Sequence, residues 1–463
     1  MISFPRARLR SGFSAFGVAL ALVAAAFLFA ASAWATTIER VVSPGGIEAW
    51  LVNEPAVPLI AMEFAFRGGA AQDAPGKSGT ATLVAALLDA GAGELDSKSF
   101  SDRLERKAIQ LSFSAQRDTL RGTMRTMVEN RDEAFDLLRL AMTVPRFDAK
   151  EVEISRAQVL SSLRRETTSP GDIASRRWWE TAFEGHPYGR PVNGTPDTVS
   201  SISVADLKSY AQRVLAREKL TIAVVGDIDA DTLKILLDRT FGALPAKPDL
   251  VAISNATPRG LGRRIEVSLD VPQTVVDFGG PGISRQDPDF MAAYLINHIL
   301  GGGSSASRLY HEVREKRGLA YSVSDNLVWL DHAAVMFGGT ATRADRAGET
   351  VELIEKEIGR FAETGPTAGE LIEAKKYLNS AFVLNLDSSS KIAALLVQLQ
   401  LDGLGTDYFT QRAAMIDAVT LEDARRVAKR LLDKGLLVTV VGKPRGFVSS
   451  TAKTEAQAPM ETP

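Results

Sequence analysis

The sequence predicts a chain of mixed helices and strands built as two related halves, and three observations predict it. Segments alternating in period two and segments with helical periodicity follow one another along the chain. The stretch SVADLKSYAQRVLAREKLTIAVVGD (203–227) is similar to TLEDARRVAKRLLDKGLLVTVVGK (420–443), with Ser203 and Thr420 lying 217 residues apart. Between them sits GALPAKPDLVAISNATPRGLG (242–262), rich in Pro, Gly and small residues, which reads as a connector. A period that long describes two duplicated domains, not a solenoid of short repeats.

The first half runs over 36–243. IEAWLV and PLIAMEFAFR read as strands joined by a turn. Residues 78–90 read as a helix, because Leu83, Val84, Leu87 and Leu88 form an apolar stripe. IQLSFSAQ and TLRGTMRTM alternate as strands covering a face, and 130–143, 149–166 and 171–184 read as helices. After a linker over 244–262, the second half runs over 263–443. Its strands are RRIEVSL, TVVDFGG, AYSVSDNLVWL and AAVMFGGTA, with helices near 286–299, 305–316, 344–363 and 367–385. Ser203 and Thr420 each open a helix as N-cap. Residues 444–463 are small, polar and Pro-containing, and read as a disordered tail.

Composition narrows the function. The 463 residues carry 54 Lys+Arg against 56 Asp+Glu, a balance unlike the basic excess of a nucleic-acid binder. With no Cys, disulfides, thiolate metal sites and a Cys nucleophile are excluded. The four His, at 186, 298, 311 and 332, show no metal-ligand spacing. His186 reads as a loop residue with a turn or surface role. Arg6, Arg8 and Arg10, the apolar run Phe16–Ala31, and small residues at Ala33 and Ala35 read as a signal peptide over 1–35. Its removal leaves a net charge of −5 and implies a periplasmic protein, with secretion as the alternative. No other stretch is long and apolar enough to span a membrane.

LGGGSSASRLYHEVREKRGLAYSVSD (300–325) resembles the C-terminal-domain signature of the pitrilysin/insulinase family of zinc peptidases, which includes the mitochondrial processing peptidases. GHPYGRPVNGT (185–195) resembles a second landmark of that family. The resemblance spans roughly residues 38–443 and implies an α+β fold. Each half would be an α/β sandwich, itself an internal pair of domains, and the halves would close as a clamshell over an extended peptide added to a sheet edge.

The family's zinc site is the inverted H-x-x-E-H motif, with two His as ligands and the Glu as general base. Aligned on GTATLVAALLDAGAG (79–93), those positions hold Thr82, Ala85 and Ala86, and the third ligand falls near Ser162, with Glu166 the nearest carboxylate. Methyl groups ligate no metal. The resemblance therefore implies no zinc in this chain. What remains is the family's Arg and Tyr seven residues apart, Arg314 and Tyr321, with Gly301, Gly302 and Gly303 as a flexible, substrate-binding turn before them. Without the resemblance, Arg314 would read as a solvated helix end, Tyr321 as strand packing and the glycines as a loop needing positive φ. Trp178 and Trp179 fit either a core or an interface.

The implied function is a subunit, inactive alone, of a heterodimeric periplasmic zinc peptidase. Arg314 and Tyr321 would act in trans on a peptide held by a zinc-bearing paralogue. The alternative is a pseudo-peptidase acting as a peptide-binding or assembly scaffold.

Overall fold

The computed structural model describes residues 37–450 apart from Asn385, so the expected signal peptide over 1–35 and residues 451–463 of the expected disordered tail lie outside the described residues. Residues 40–450 form one compact unit. It contains two sheets with the same strand plan.

The first sheet holds β1 (Glu39–Val42), β2 (Glu48–Asn53), β3 (Leu59–Arg67), β4 (Gln110–Ala115), β5 (Thr119–Met127) and β6 (Thr221–Gly226), in the order β1-β2-β6-β3-β5-β4. The second holds β7 (Arg264–Ser268), β8 (Gln273–Pro281), β9 (Ala320–Trp329), β10 (Ala334–Arg343) and β11 (Leu437–Gly442), in the order β7-β11-β8-β10-β9. In each, one parallel pair, β2–β6 or β7–β11, sits beside a run of antiparallel pairs. Set β1 aside and the two orders superpose strand for strand, which is the duplication that the repeat predicts. Each half thus contains one sheet with its helices, not the internal pair of domains that the resemblance implied.

Local sequence explains the pairing. β3 is covered on both sides, so Ile60 to Phe66 are all buried, Glu63 being the one charged residue among them. Phe64 lies opposite Gly122 on β5, and a Cβ at Gly122 would come within 2.1 Å of the Phe64 ring. The glycine is therefore what admits the ring, which packs edge-on to Phe66, Phe113 and Phe241.

The helices of the first half are α1 (Thr80–Leu87), α2 (Ser97–Arg106), α3 (Arg131–Thr143), α4 (Ala149–Glu166), α5 (Pro170–Ala182), α6 (Pro196–Ser201), α7 (Val204–Val214) and α8 (Ala230–Phe241). Those of the second are α9 (Phe290–Asn297), α10 (Ala347–Thr364), α11 (Ala368–Leu384), α12 (Ser389–Leu401), α13 (Tyr408–Ala418) and α14 (Leu421–Leu432). Ser203 and Thr420 are N-caps as expected, each closing a capping box with Asp206 or Asp423.

The halves exchange helices. α5 leaves the first half to pack on β8 and β11, and α12 leaves the second to pack on β3 and β6. Trp178, on α5, is fully buried and donates its indole N–H to the Leu437 carbonyl at 3.0 Å. Its ring meets Phe337 edge-on at 4.9 Å, and Trp179 stacks on Phe183. The tryptophan pair is therefore the apolar seam between the halves. The connector over 244–262 has no helix or strand but is tied down throughout: Val251 N–H donates to Gln72, Ala256 N–H to His332 and Arg259 N–H to Ala182. Residues 444–450 are not loose either, because Arg445 N–H bonds Ala344 and Ser450 N–H bonds Arg264. No helix among the described residues is long and apolar enough to cross a membrane.

Candidate functional site

The segment from α9 to β9 carries the second-half motif. Residues 286–299 and 305–316 were expected as helices. α9 spans only Phe290–Asn297 and widens into an i→i+5 turn over His298–Gly302, closed by Gly303 N–H on the His298 carbonyl at 2.8 Å. A second such turn, Tyr310–Glu315, replaces most of the later helix, with Lys316 N–H on His311 at 3.0 Å. Turns of this kind break the regular ladder and reorient side chains.

None of Gly301, Gly302 and Gly303 has a positive φ; that conformation falls on Ser304 instead. The glycines serve close approach. A Cβ at Gly301 would lie 2.3 Å from an Asp325 carboxylate oxygen, and one at Gly303 would lie 2.7 Å from the His298 carbonyl. Beneath Gly301, Asp325 on β9 is fully buried, and the neighbouring Asn297 amide is placed too poorly to offset that burial. Burial pushes its carboxyl up to about 8, so it is neutral at pH 7.

Arg314 ends the second wide turn. Its guanidinium lies 4.8 Å from the Tyr310 ring centroid and 4.5 Å from that of Tyr321, and one amino group donates to the Tyr310 hydroxyl. Two aromatic faces thus orient the cation. No carboxylate among the described residues pairs with it. Tyr321, near the start of the edge strand β9, is 80% exposed, and its hydroxyl has no protein partner among the described residues. Arg317 is differently placed: it donates to the Glu312 carboxylate at 2.7 Å and to the Glu312 carbonyl at 3.0 Å. Lys316 and Arg317 together hold that carboxyl down at about 2. Arg317 is therefore held by an ion pair, whereas Arg314, seven residues before Tyr321, is held by Tyr310 and Tyr321 with no carboxylate partner among the described residues. The pair can offer a planar cation and a phenolic hydroxyl to a carbonyl or oxyanion beside β9.

In the first half, α1 carries Thr82, Ala85 and Ala86 and packs on α4, which carries Ser162 and Glu166. The Thr82 hydroxyl donates to the Val192 carbonyl at 3.0 Å, and the Asn193 amide donates to Glu166 at 3.0 Å. Ala85 is buried and Ala86 exposed. The start of α1 is fixed by Asp73, whose carboxylate accepts from the backbone N–H groups of Gly79 at 2.8 Å and Ala81 at 2.9 Å. These residues do not fit zinc: a hydroxyl already bonded to backbone and two methyls replace two imidazoles and a carboxylate. Among the described residues, no group of three or more His, Asp or Glu is placed to hold a metal. His186 has the expected turn role. Its Nδ1 accepts from Tyr188 N–H at 3.2 Å, leaving Nε2 to donate to the Ser254 carbonyl at 2.9 Å.

Comparison with known proteins agrees with this geometry. Residues 51–196 match the family model described as insulinase (peptidase family M16), and residues 201–378 match the one described as peptidase M16 inactive domain. The chain is 30% identical over 341 residues to "Non-peptidase homolog YmxG" of Helicobacter pylori, covering 71% of this chain and 78% of the relative. It is 25% identical over 412 residues to an uncharacterized zinc protease of Streptomyces coelicolor, covering 88% and 90%. Among solved structures, a peptidase M16 inactive domain from Pseudomonas fluorescens superposes with a TM-score of 0.82 at 24% identity, covering 90% of this chain and 99% of that one. A Helicobacter pylori protease gives 0.79 at 21% identity, covering 88% and 99%. With both halves matched in order, the chain belongs to the insulinase (M16) peptidase family.

Proposed function

We propose that this protein is a non-peptidase member of its family that completes the active site of a zinc-bearing paralogue in a periplasmic heterodimer. The observation that carries the reading is an asymmetry: the first-half site lacks both imidazoles and the general-base carboxylate, while Arg314 makes no ion pair among the described residues and lies against Tyr321 at an exposed sheet edge. Zinc held by the partner would supply a Lewis acid and activate the attacking water. Arg314 donates to peptide carbonyls and orients the chain, and the Tyr321 hydroxyl donates to the oxyanion that forms as the scissile carbonyl is attacked. The name of the Helicobacter relative supports a role without proteolysis by the chain itself. The Arg-rich start and small-residue site before residue 36 support export.

The test is co-purification with a zinc-bearing family member of the same organism, followed by peptide hydrolysis. This chain alone shows none, and the complex does. Arg314→Ala and Tyr321→Phe each lower turnover about a hundredfold, the scale of one lost oxyanion donor, without preventing assembly. Unchanged turnover in both variants rules out the assigned roles. Peptide binding with no zinc partner in any complex favours the scaffold reading instead.

A further inference from the structure

The two halves also enclose a cavity of about 810 Å³. Its wall joins the end of β3 and the β4–β5 turn of the first half to the β9–β10 turn and the end of α12 of the second. Five cationic side chains face it (Arg67, Arg117, Arg121, Lys219 and Arg285) against three carboxylates, Asp118, Asp331 and Asp402. Those carboxylates are already engaged. Asp118 accepts from the Tyr188 hydroxyl at 2.6 Å and from Asp331 N–H at 3.0 Å. Asp331 pairs with Arg67, whose other amino group reaches the Leu401 carbonyl across the seam. Asp402 accepts from Trp329 at 3.0 Å and Gln398 at 2.8 Å, with Arg285 3.7 Å away.

Arg117 and Arg121 are left over. Neither forms an ion pair among the described residues. Arg117 lies 3.7 Å over the Trp179 ring, and its one hydrogen bond is from Nε to the Tyr188 carbonyl at 3.3 Å. Neither terminal amino group has an acceptor among the described residues. Burial pulls its pKa down to about 10, because the cost of withdrawing the cation from water exceeds the attraction of nearby Asp118, with which it makes no ion pair. Arg121 gives one amino group to Gln398, and its buried Nε has no partner. Glu63 and Asp402 favour its charge from beyond ion-pair distance. Two such guanidiniums in one cavity repel each other and lose hydration. An oxyanion answers both costs, because a guanidinium fork matches two of its oxygens.

We propose that this cavity binds a small molecule through an oxyanion, carboxylate or phosphate, held by Arg117 and Arg121 of the first half and closed by Arg285 of the second. The volume is that of ordinary small-molecule sites. The site is separate from the Arg314–Tyr321 pair: from Tyr321 to Trp329, β9 covers roughly 26 Å at its usual rise. It stands whether or not the chain serves a peptidase. Because its walls come from both halves, its ligand fastens the seam.

The experiment is calorimetric titration, with melting curves, of the purified full chain at ionic strength fixed with chloride. The probes are inorganic phosphate, a short peptide with a free C-terminal carboxylate, and the same peptide as its C-terminal amide. The expected result is saturable binding with a raised Tm for phosphate or for the free-acid peptide, and none for the amide; which probe binds assigns the source of the oxyanion. Arg117→Gln weakens that binding about ten- to a hundredfold, the scale of a lost charged hydrogen bond. Should that variant fail to fold, Arg121→Gln, checked for folding by circular dichroism, carries the same expectation. No saturable binding of either anionic probe up to the millimolar range overturns the proposal. So does equal affinity in a folded variant and the parent chain.

Discussion

Trp178 tests whether the exchanged helices make the two halves one folding unit. Trp178→Ala removes a fully buried indole from the seam, together with its contact with Phe337 and its bond to the Leu437 carbonyl. Truncating a buried Trp costs about 3–5 kcal/mol. The Leu437 carbonyl, stripped of this donor, adds about 1 kcal/mol. A total of roughly 4–6 kcal/mol is a large share of the 5–15 kcal/mol that a folded domain commonly holds. Trp178→Phe keeps most of the ring volume, so its smaller loss of about 1–2 kcal/mol isolates the hydrogen bond and the residual gap. Urea unfolding followed by far-UV circular dichroism reads the midpoint and slope. The parent chain should unfold in one transition, because each sheet is roofed by the other half's helix. Amide exchange in Trp178→Ala should then rise in β3 and β6 as well as in β8 and β11. Two separate transitions in the parent, or faster exchange confined to the second sheet, would refute the reasoning.

Two further outcomes follow from single sites. After incubation with excess zinc and dialysis, the purified chain should retain well under one zinc per molecule by elemental analysis; a stoichiometric, chelator-sensitive zinc would contradict the assignment of Thr82, Ala85 and Ala86. Asp325 is held neutral up to about pH 8 in the folded chain but ionises near its ordinary value when unfolded. Its contribution to stability is therefore complete below about pH 4 and is lost as pH rises towards 8. Asp73, Asp277 and Glu63, raised by burial to about 7, act in the same direction. Asp325→Asn should flatten the decline and raise stability at pH 8 by about 1–3 kcal/mol; a pH slope identical to the parent's would show that the carboxyl is not neutral in the fold.

Much of the architecture was legible because period and burial coincide. TLRGTMRTM alternates over the whole of β5, and the 149–166 helix was readable to the residue. α12 was not. Its sequence, SSKIAALLVQLQL, is apolar over most of its surface because it lies between its own half and the first sheet, and such a helix has no single stripe to find. The turn over 298–303 was legible as glycine-rich but not in its cause: the glycines yield to Asp325 and His298, partners that only the fold brings near. The aromatic pair at 178 and 179 carried no sign of its destination, since the strands it covers, β8 and β11, lie further along the chain, the Leu437 carbonyl 259 residues from Trp178. The Arg117–Arg121 cavity left no signal either. Arg117 sits in a turn and Arg121 on an alternating strand, and in either place an arginine aimed into a cavity between halves looks the same as one aimed at solvent.

The two fragments of the family site are built into the fold to different depths. Thr82 and Glu166, from α1 and α4, are both tied to the 192–193 loop, one through its hydroxyl and the other through its carboxylate. Hydrogen bonds therefore hold this helix pair in register, so the fold needs no metal there. The Arg314–Tyr321 pair has no comparable structural duty. Arg317, not Arg314, secures Glu312, and the Tyr321 ring stands 80% exposed on an unpaired sheet edge with its hydroxyl unused. An exposed side chain such as Tyr321 changes stability by only about half a kcal/mol when replaced. Stability consequently does not account for a guanidinium and a phenol positioned together there. The Tyr321 hydroxyl and the open edge of β9 face outward, which is what the proposed role in trans requires.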